Sequence, residues 1–283
     1  MPISTVRPEP GIAVITVDRP PVNALTTADW FALASLLKTT GDDPETRVVI
    51  LTAQGRGFNA GVDIKEMQQT DGFDALIGAN QGCAAAFSAV YDCAVPVIAA
   101  VHGFCVGGGV GLVGNADVIV AAEGTVFGLP EVDRGALGAA THLARLVPHH
   151  LMRTLYYTAQ NVTAEQLEHF GSVYRVVPRD ELIEAAMEVG RSIAAKDTRV
   201  IRAAKAAINN IDPVDVKKSY LMEQRYTYEL NLAGVGDEHR DAFVAGSAAS
   251  GTRTTVAGSA ASGTHDTVAG SGTRETAAEK GAR

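Results

Sequence analysis

Two loops of this 283-residue chain carry groups able to act on a carbonyl. The first, Phe58-Asn59-Ala60-Gly61-Val62-Asp63, leaves an apolar run, turns at a glycine and enters helical text. It offers a free backbone N–H at about Val62. The second is Gly107-Gly108-Gly109, again where a strand runs into a helix. Glycine there lets a ligand approach the backbone closely, and a helix start presents N–H groups and positive partial charge. Two such loops can supply both donors of an oxyanion hole. The same text also reads as two ordinary turns with close helix packing. A carboxylate, Glu131, follows a buried strand in Leu129-Pro130-Glu131, a position suited to proton transfer. Asp133 is either a catalytic neighbour of Glu131 or a partner of Arg134. His142 is either a base near neutral pH or a loop histidine. Asp63 and Lys65 read as the cap and the solvated face of a short helix.

These residues need a scaffold, and the text supplies an α/β one. GIAVITV (11–17), VVILTA (48–53), VIAAVHG (97–103) and DVIVAA (117–122) are apolar, β-branched strand signals. Thr26 or Thr27 caps a helix through WFALASLLKTT, and residues 74–93 form another. VTAEQLEHFG has a threonine cap and a glycine stop, and residues 180–195 form an amphipathic helix. From residue 198 to 243 the text is only helical. From Val244 a twelve-residue Gly/Ala/Ser/Thr repeat begins, which has almost nothing to bury. The expected organisation is a core over 1–195, a helical segment over 196–245 and a disordered tail over 246–283. Tyr220, Tyr226, Tyr228 and Phe243 give the helical segment apolar faces for oligomer packing.

Composition narrows the function. Hydrophobic residues are 46 % and charged residues 20 %, so the chain folds, and a net charge of −8 argues against a nucleic-acid partner. No apolar run reaches the ~20 residues needed to cross a bilayer, and the N-terminus lacks a signal-peptide pattern. Cys83, Cys93 and Cys105 have no CxxC spacing and read as buried, reduced thiols of a cytoplasmic protein. Gly109-Val110-Gly111-Leu112-Val113-Gly114 matches the dinucleotide fingerprint G-x-G-x-x-G. Its context is wrong, because ten residues between Val106 and Asp117 cannot form a parallel crossover. No metal site and no tightly bound cofactor is expected.

AGVDIKEM (60–67), PVIAAVHGFCVGGGVGLVGNADVIVA (96–121) and FGLPEVDRGALG (127–138) resemble the crotonase, or enoyl-CoA hydratase/isomerase, superfamily. PPVNAL (20–25) and DEHRDAFV (237–244) fit it too. The resemblance implies a spiral of ββα units followed by a C-terminal helical segment that builds a trimer or a dimer of trimers. It implies an acyl-CoA substrate, with coenzyme A entering as part of that substrate. It puts the oxyanion-hole N–H groups at Val62 and Gly108. It lines the CoA channel with Ala24, Val62, Asp63, Ile64, Lys65, Gly107 and Gly108, and it makes Glu131 the acid/base.

The departure is Gly111. Hydratases of the family carry their first glutamate there, so a two-carboxylate hydration does not follow. The extended text FNAGVDIKEMQ, FGLPEVDRGALGAATHLARLVP and EHFGSVYRVVPRD resembles an actinobacterial subgroup of steroid catabolism. That subgroup opens a ring of a bicyclic keto acyl-CoA by C–C hydrolysis. The expectation is such a hydrolase, with Gly111 giving room for a bulky ring. An enoyl-CoA isomerase or hydratase is the alternative, and a non-catalytic acyl-CoA binder the more distant one.

Overall fold

The computed structural model describes residues 2–69 and 73–249. Most of the repeat tail placed over 246–283 therefore lies outside the described residues. Its first four residues belong to the last helix instead.

The chain opens with the hairpin β1 (Ile3–Glu9) and β2 (Ile12–Val17), then α1 (Thr27–Asp42) and β3 (Val48–Ala53). A short α2 (Ile64–Gln68) precedes α3 (Asp74–Tyr91), β4 (Val97–Val101), β5 (Phe104–Val106) and α4 (Gly108–Val113). Next come β6 (Val118–Ala122), β7 (Val126–Gly128) and a 3-10 turn over Glu131–Arg134. The chain continues through α5 (Ala140–Ala144), α6 (His149–Thr158), β8 (Val162–Thr163), α7 (Ala164–His169), β9 (Arg175–Val177) and α8 (Leu182–Ala194). Three helices close it: α9 (Thr198–Ile211), α10 (Val216–Leu232) and α11 (Val235–Ala249).

Six strands form one sheet in the order β1-β2-β3-β4-β6-β9, parallel except for the opening hairpin. Its central strands are buried on both faces, which is why their sequences are continuous apolar runs rather than alternating ones. Val49, Leu51, Val97, Ala99 and Val101 face the larger core, which also holds Trp30, Leu33 and Phe87 from α1 and α3. Val48, Ile50, Ile98 and Ala100 face the other way, onto Leu182, Ala186 and Met187 of α8. Thr26 caps α1 with a reciprocal bond to Asp29, so the threonine signal in the sequence is a capping box.

A second sheet, β5-β7-β8, stands apart from the first. The six-residue α4 thus leaves β5 in one sheet and leads to β6 in the other. The Gly109–Gly114 run lies in the crossover between the parallel neighbours β4 and β6. However, α4 follows β5 of the small sheet and not a strand of the sheet that β6 joins, which is not the strand–glycine-turn–helix order of a dinucleotide site. β5 and β7 are the strands that the sequence implies ahead of Gly107 and of Leu129, whereas the two-residue β8 carries no strand pattern.

The C-terminal helices pack onto this frame through polar ties. Lys205 on α9 is buried, and its Nζ lies 2.8 Å from both carboxylate oxygens of Asp117. Asp117 also accepts the Val97 N–H at 2.8 Å at the start of β4. Tyr220 is buried, and Phe243 stacks under Arg134 at 4.4 Å. These two aromatics face into their own chain, contrary to the expectation that they serve an outer face. Tyr226 is exposed.

Candidate active site

The first loop is fixed from behind by two buried asparagines. Asn23, at φ 55°, donates through Nδ2 to the carbonyls of Gln54 and Gly57, each at 2.8 Å. Asn59 donates to the Asn23 carbonyl at 2.7 Å and accepts the Gly61 N–H at 2.8 Å. The Leu25 N–H donates to the Gly61 carbonyl and the Asp63 N–H to the Leu25 carbonyl, both at 2.9 Å. Every neighbour of the Val62 N–H is thereby engaged, while that N–H bonds to no described residue.

The second loop is joined to the first. The Val106 N–H donates to the Asn59 carbonyl at 3.0 Å, so β5 extends alongside residue 59. Gly107 then takes φ 58° and ψ −123°, a conformation open to glycine, and its N–H bonds Gly128 on β7 at 3.0 Å. The Gly108 N–H, first of α4, bonds to no described residue. A Cβ on Gly61 would lie 3.2 Å from the Gly108 nitrogen. One on Gly107 would lie 2.7 Å from Glu131 Oε1. Absence of side chains therefore lets the two N–H groups and the carboxyl converge.

They converge on a cleft. Val62, Ile64 and Met67 form one apolar side, and Leu76, Cys83 and Phe87 of α3 form another. Leu137 to Ala139 and Tyr220 close the far end. Among the described residues lining it, Glu131 is the only carboxylic acid. Its Oε2 is enclosed and unpartnered among the described residues. Burial pushes its pKa up to about 8; the Arg134 charge opposes that rise and Glu223 adds to it. Tyr156 donates to Glu223 at 2.6 Å, and Glu223 accepts the Ala140 N–H at 3.2 Å, which pins the wall behind Glu131. Burial also raises the pKa of the Cys83 thiol, so it lines the cleft as an inert group.

The remaining sequence candidates divide cleanly. Gly107, Gly108, Val62, Ile64 and Glu131 line the cleft together. Asp63 does not; it accepts the Lys65 N–H at 3.0 Å and caps α2. Lys65 is exposed, and Ala24 is half-buried outside the lining. Asp133 is exposed and absent from the lining, so it is no candidate base. His142 is buried behind the cleft, with its ring 5.1 Å from Phe87 and 5.8 Å from Tyr220. Burial drives its pKa down to about 3, so it is neutral and cut off from the site.

Gly111 departs furthest from expectation. It is buried outside the lining, and a Cβ there would meet the Phe87 ring at 2.2 Å. The space left by the missing carboxylate is filled by Phe87, which is itself held by Trp30, His142 and Tyr220. It therefore offers no room for a substrate ring. Asn80 is a lining residue the sequence does not mark: its Nδ2 is enclosed without a described partner. One amide in an apolar helix carries no legible signal. The described residues contain no cluster of three or more metal-ligating groups.

Comparison with known proteins identifies the family. The enoyl-CoA hydratase/isomerase family model matches residues 7–233. A Rhodococcus jostii protein is 73 % identical over 83 % of this chain and 91 % of its own length. It is named (7aS)-7a-methyl-1,5-dioxo-2,3,5,6,7,7a-hexahydro-1H-indene-carboxyl-CoA hydrolase. A Mycobacterium tuberculosis protein of the same name is 69 % identical over 86 % of this chain and 99 % of its own. The crystal structure of an enoyl-CoA hydratase from Bacillus anthracis superposes with a TM-score of 0.72 at 31 % identity, covering 82 % of this chain and 92 % of that one.

Proposed function

The chain belongs to the enoyl-CoA hydratase/isomerase family, and we propose that it hydrolyses a C–C bond of a bicyclic keto acyl-CoA, opening one ring. The observation that carries the reading is the lone carboxyl Glu131, beside two unengaged N–H groups in a mostly apolar cleft. The high identity to two hydrolases of a dioxo-hexahydroindene-carboxyl-CoA supports the substrate class, and the place in steroid breakdown is what the sequence resemblance implies.

The chemistry follows from the groups present. The thioester oxygen lies between the N–H groups of Val62 and Gly108. Glu131, as carboxylate, takes a proton from water while the water oxygen bonds to a ring ketone carbon. The adjacent C–C bond then breaks. Its electron pair passes in conjugation to the thioester oxygen, where the two N–H groups stabilise the enolate. Glu131 returns its proton to carbon. The product keeps its CoA and gains one water and one carboxylic acid.

The reaction needs no metal or bound cofactor in this reading, so dialysis against a chelator leaves the rate unchanged. The exposed apolar residues Ile208, Ile211, Leu221, Met222 and Leu232 on α9 and α10 suit assembly into a trimer or a dimer of trimers. A cytoplasmic location fits three unpaired, buried cysteines.

The test is mass spectrometry of the hexahydroindene-carboxyl-CoA after incubation. A gain of 18 Da with no free thiol released is the expected result, and Glu131→Gln lowers the rate by about 10²–10⁴-fold. Free CoA release would mean thioester hydrolysis and overturn the reading. Rapid hydration or double-bond migration of crotonoyl-CoA, with the bicyclic thioester untouched, would also overturn it.

A further inference from the structure

Ring opening by water differs from hydration and isomerisation in where negative charge develops. All three develop it on the thioester oxygen. Ring opening develops it a second time, on the oxygen of the attacked ketone. That second charge does not disappear, because the attacked carbon ends as a carboxylate. A mostly apolar cleft that generates an anion needs a cation to receive it.

Among the described residues lining the cleft, two are cationic, Arg134 and Arg240. Arg240 is engaged, donating to Asn231 Oδ1 at 2.8 Å and pairing with Asp237. Arg134 is half-buried, and its guanidinium makes no hydrogen bond or ion pair with any described residue. Its guanidinium rests on the Phe243 ring of α11 at 4.4 Å. Gly135 permits that approach: a Cβ there would meet the Val235 carbonyl oxygen at 2.8 Å.

Glu131 and Arg134 are the first and last residues of one 3-10 turn. In that helix, side chains three apart eclipse, so both lie on one face. They sense one another's charge, yet they form no ion pair. The turn therefore sets a base and a cation on one wall of the cleft, which is what attack of water on a carbonyl requires.

We propose that Arg134 is the second oxyanion-binding group of this enzyme, holding the oxygen of the attacked ring ketone and then the carboxylate it becomes. This rests on the ring-opening reading above. Water oxygen bonds to the ketone carbon and its proton goes to Glu131. The ketone oxygen takes the negative charge beside Arg134. Its collapse to a carboxylic acid expels the carbon–carbon electron pair into the thioester enolate, and the acid ionises against the guanidinium.

Arg134→Met and Arg134→Lys are compared with wild type on the bicyclic thioester and on its ring-opened product. The expected result for Arg134→Met is a fall in kcat of about 10²–10³-fold. Its inhibition by the ring-opened product weakens at least tenfold, while crotonoyl-CoA affinity and Tm stay close to wild type. Arg134→Lys keeps the charge and recovers part of both losses. A kcat within threefold of wild type with unchanged product inhibition in Arg134→Met would overturn the proposal. If wild type itself yields no product 18 Da heavier, the ring-opening reading has failed separately. Calorimetry then decides for Arg134: equal affinity of wild type and Arg134→Met for the ring-opened carboxylate thioester overturns its role.

Discussion

Glu131 shows how one residue's surroundings set both rate and stability. With a pKa of about 8 its base form is the minor one at neutral pH, roughly a tenth of the population. The rate of ring opening should therefore rise with pH and level off above about 8. Titration of kcat/KM checks this, and no inflection near 6.5 is expected, because His142 is neutral down to about 3. The stability sign is opposite. The folded pKa lies above the unfolded carboxylate value, so the folded state holds the extra proton between them. Stability from this group is complete below the unfolded pKa and is lost as pH rises through about 8. Glu131→Gln should melt higher than wild type at pH 9 and show little difference at pH 4, as measured by calorimetry.

At the scale of elements, α3 and α4 are locked face to face where Gly111 meets Phe87. Restoring any side chain at 111 overfills this contact, because Trp30, His142 and Tyr220 hold the ring on other sides. Gly111→Ala should destabilise by about 1–3 kcal/mol in urea unfolding. Combining it with Phe87→Leu should recover much of that loss. Gly111→Glu should lose stability and gain no hydratase activity. On the other side of the molecule α9 is tied down by the Lys205–Asp117 pair. Lys205→Met leaves Asp117 without its cation, at a cost of about 3 kcal/mol; the low end of the range for buried pairs applies because Asp117 is partly exposed.

For the whole molecule, the frame and the cover have different jobs. The doubly buried sheet and the asparagine-locked loops hold the N–H pair, whereas α10 and α11 bring Tyr220, Thr227 and Arg240 to the cleft. The cover also braces the 3-10 turn, through Phe243 on Arg134 and through His239 Nδ1 at 3.1 Å from the Asp133 carbonyl oxygen. Val200, Ile208 and Ile211 of α9 remain outward and exposed. Multi-angle light scattering should give a mass of three or six chains. Ile211→Asp with Leu232→Asp should lower that mass if these residues pack between copies.

Several of these features are written in the chain itself. Continuous β-branched runs require strands buried on two faces, Thr26 with Asp29 requires a helix start, and glycines at 61 and 107–108 permit bare N–H groups. Local chemistry fixes each of these, so the residues that deliver Val62, Gly108 and Glu131 are legible in order along the sequence. What fills a space is not local. Phe87 taking the room beside Gly111, and His142 withdrawn behind aromatic rings, depend on helices brought together from distant parts of the chain. So does the turning of Tyr220 and Phe243 into their own chain. Arg134 is the clearest case. Its position three after Glu131 is in the sequence, but only packing decides that Arg240 is hydrogen-bonded and ion-paired while the Arg134 guanidinium is held by the Phe243 ring alone among the described residues.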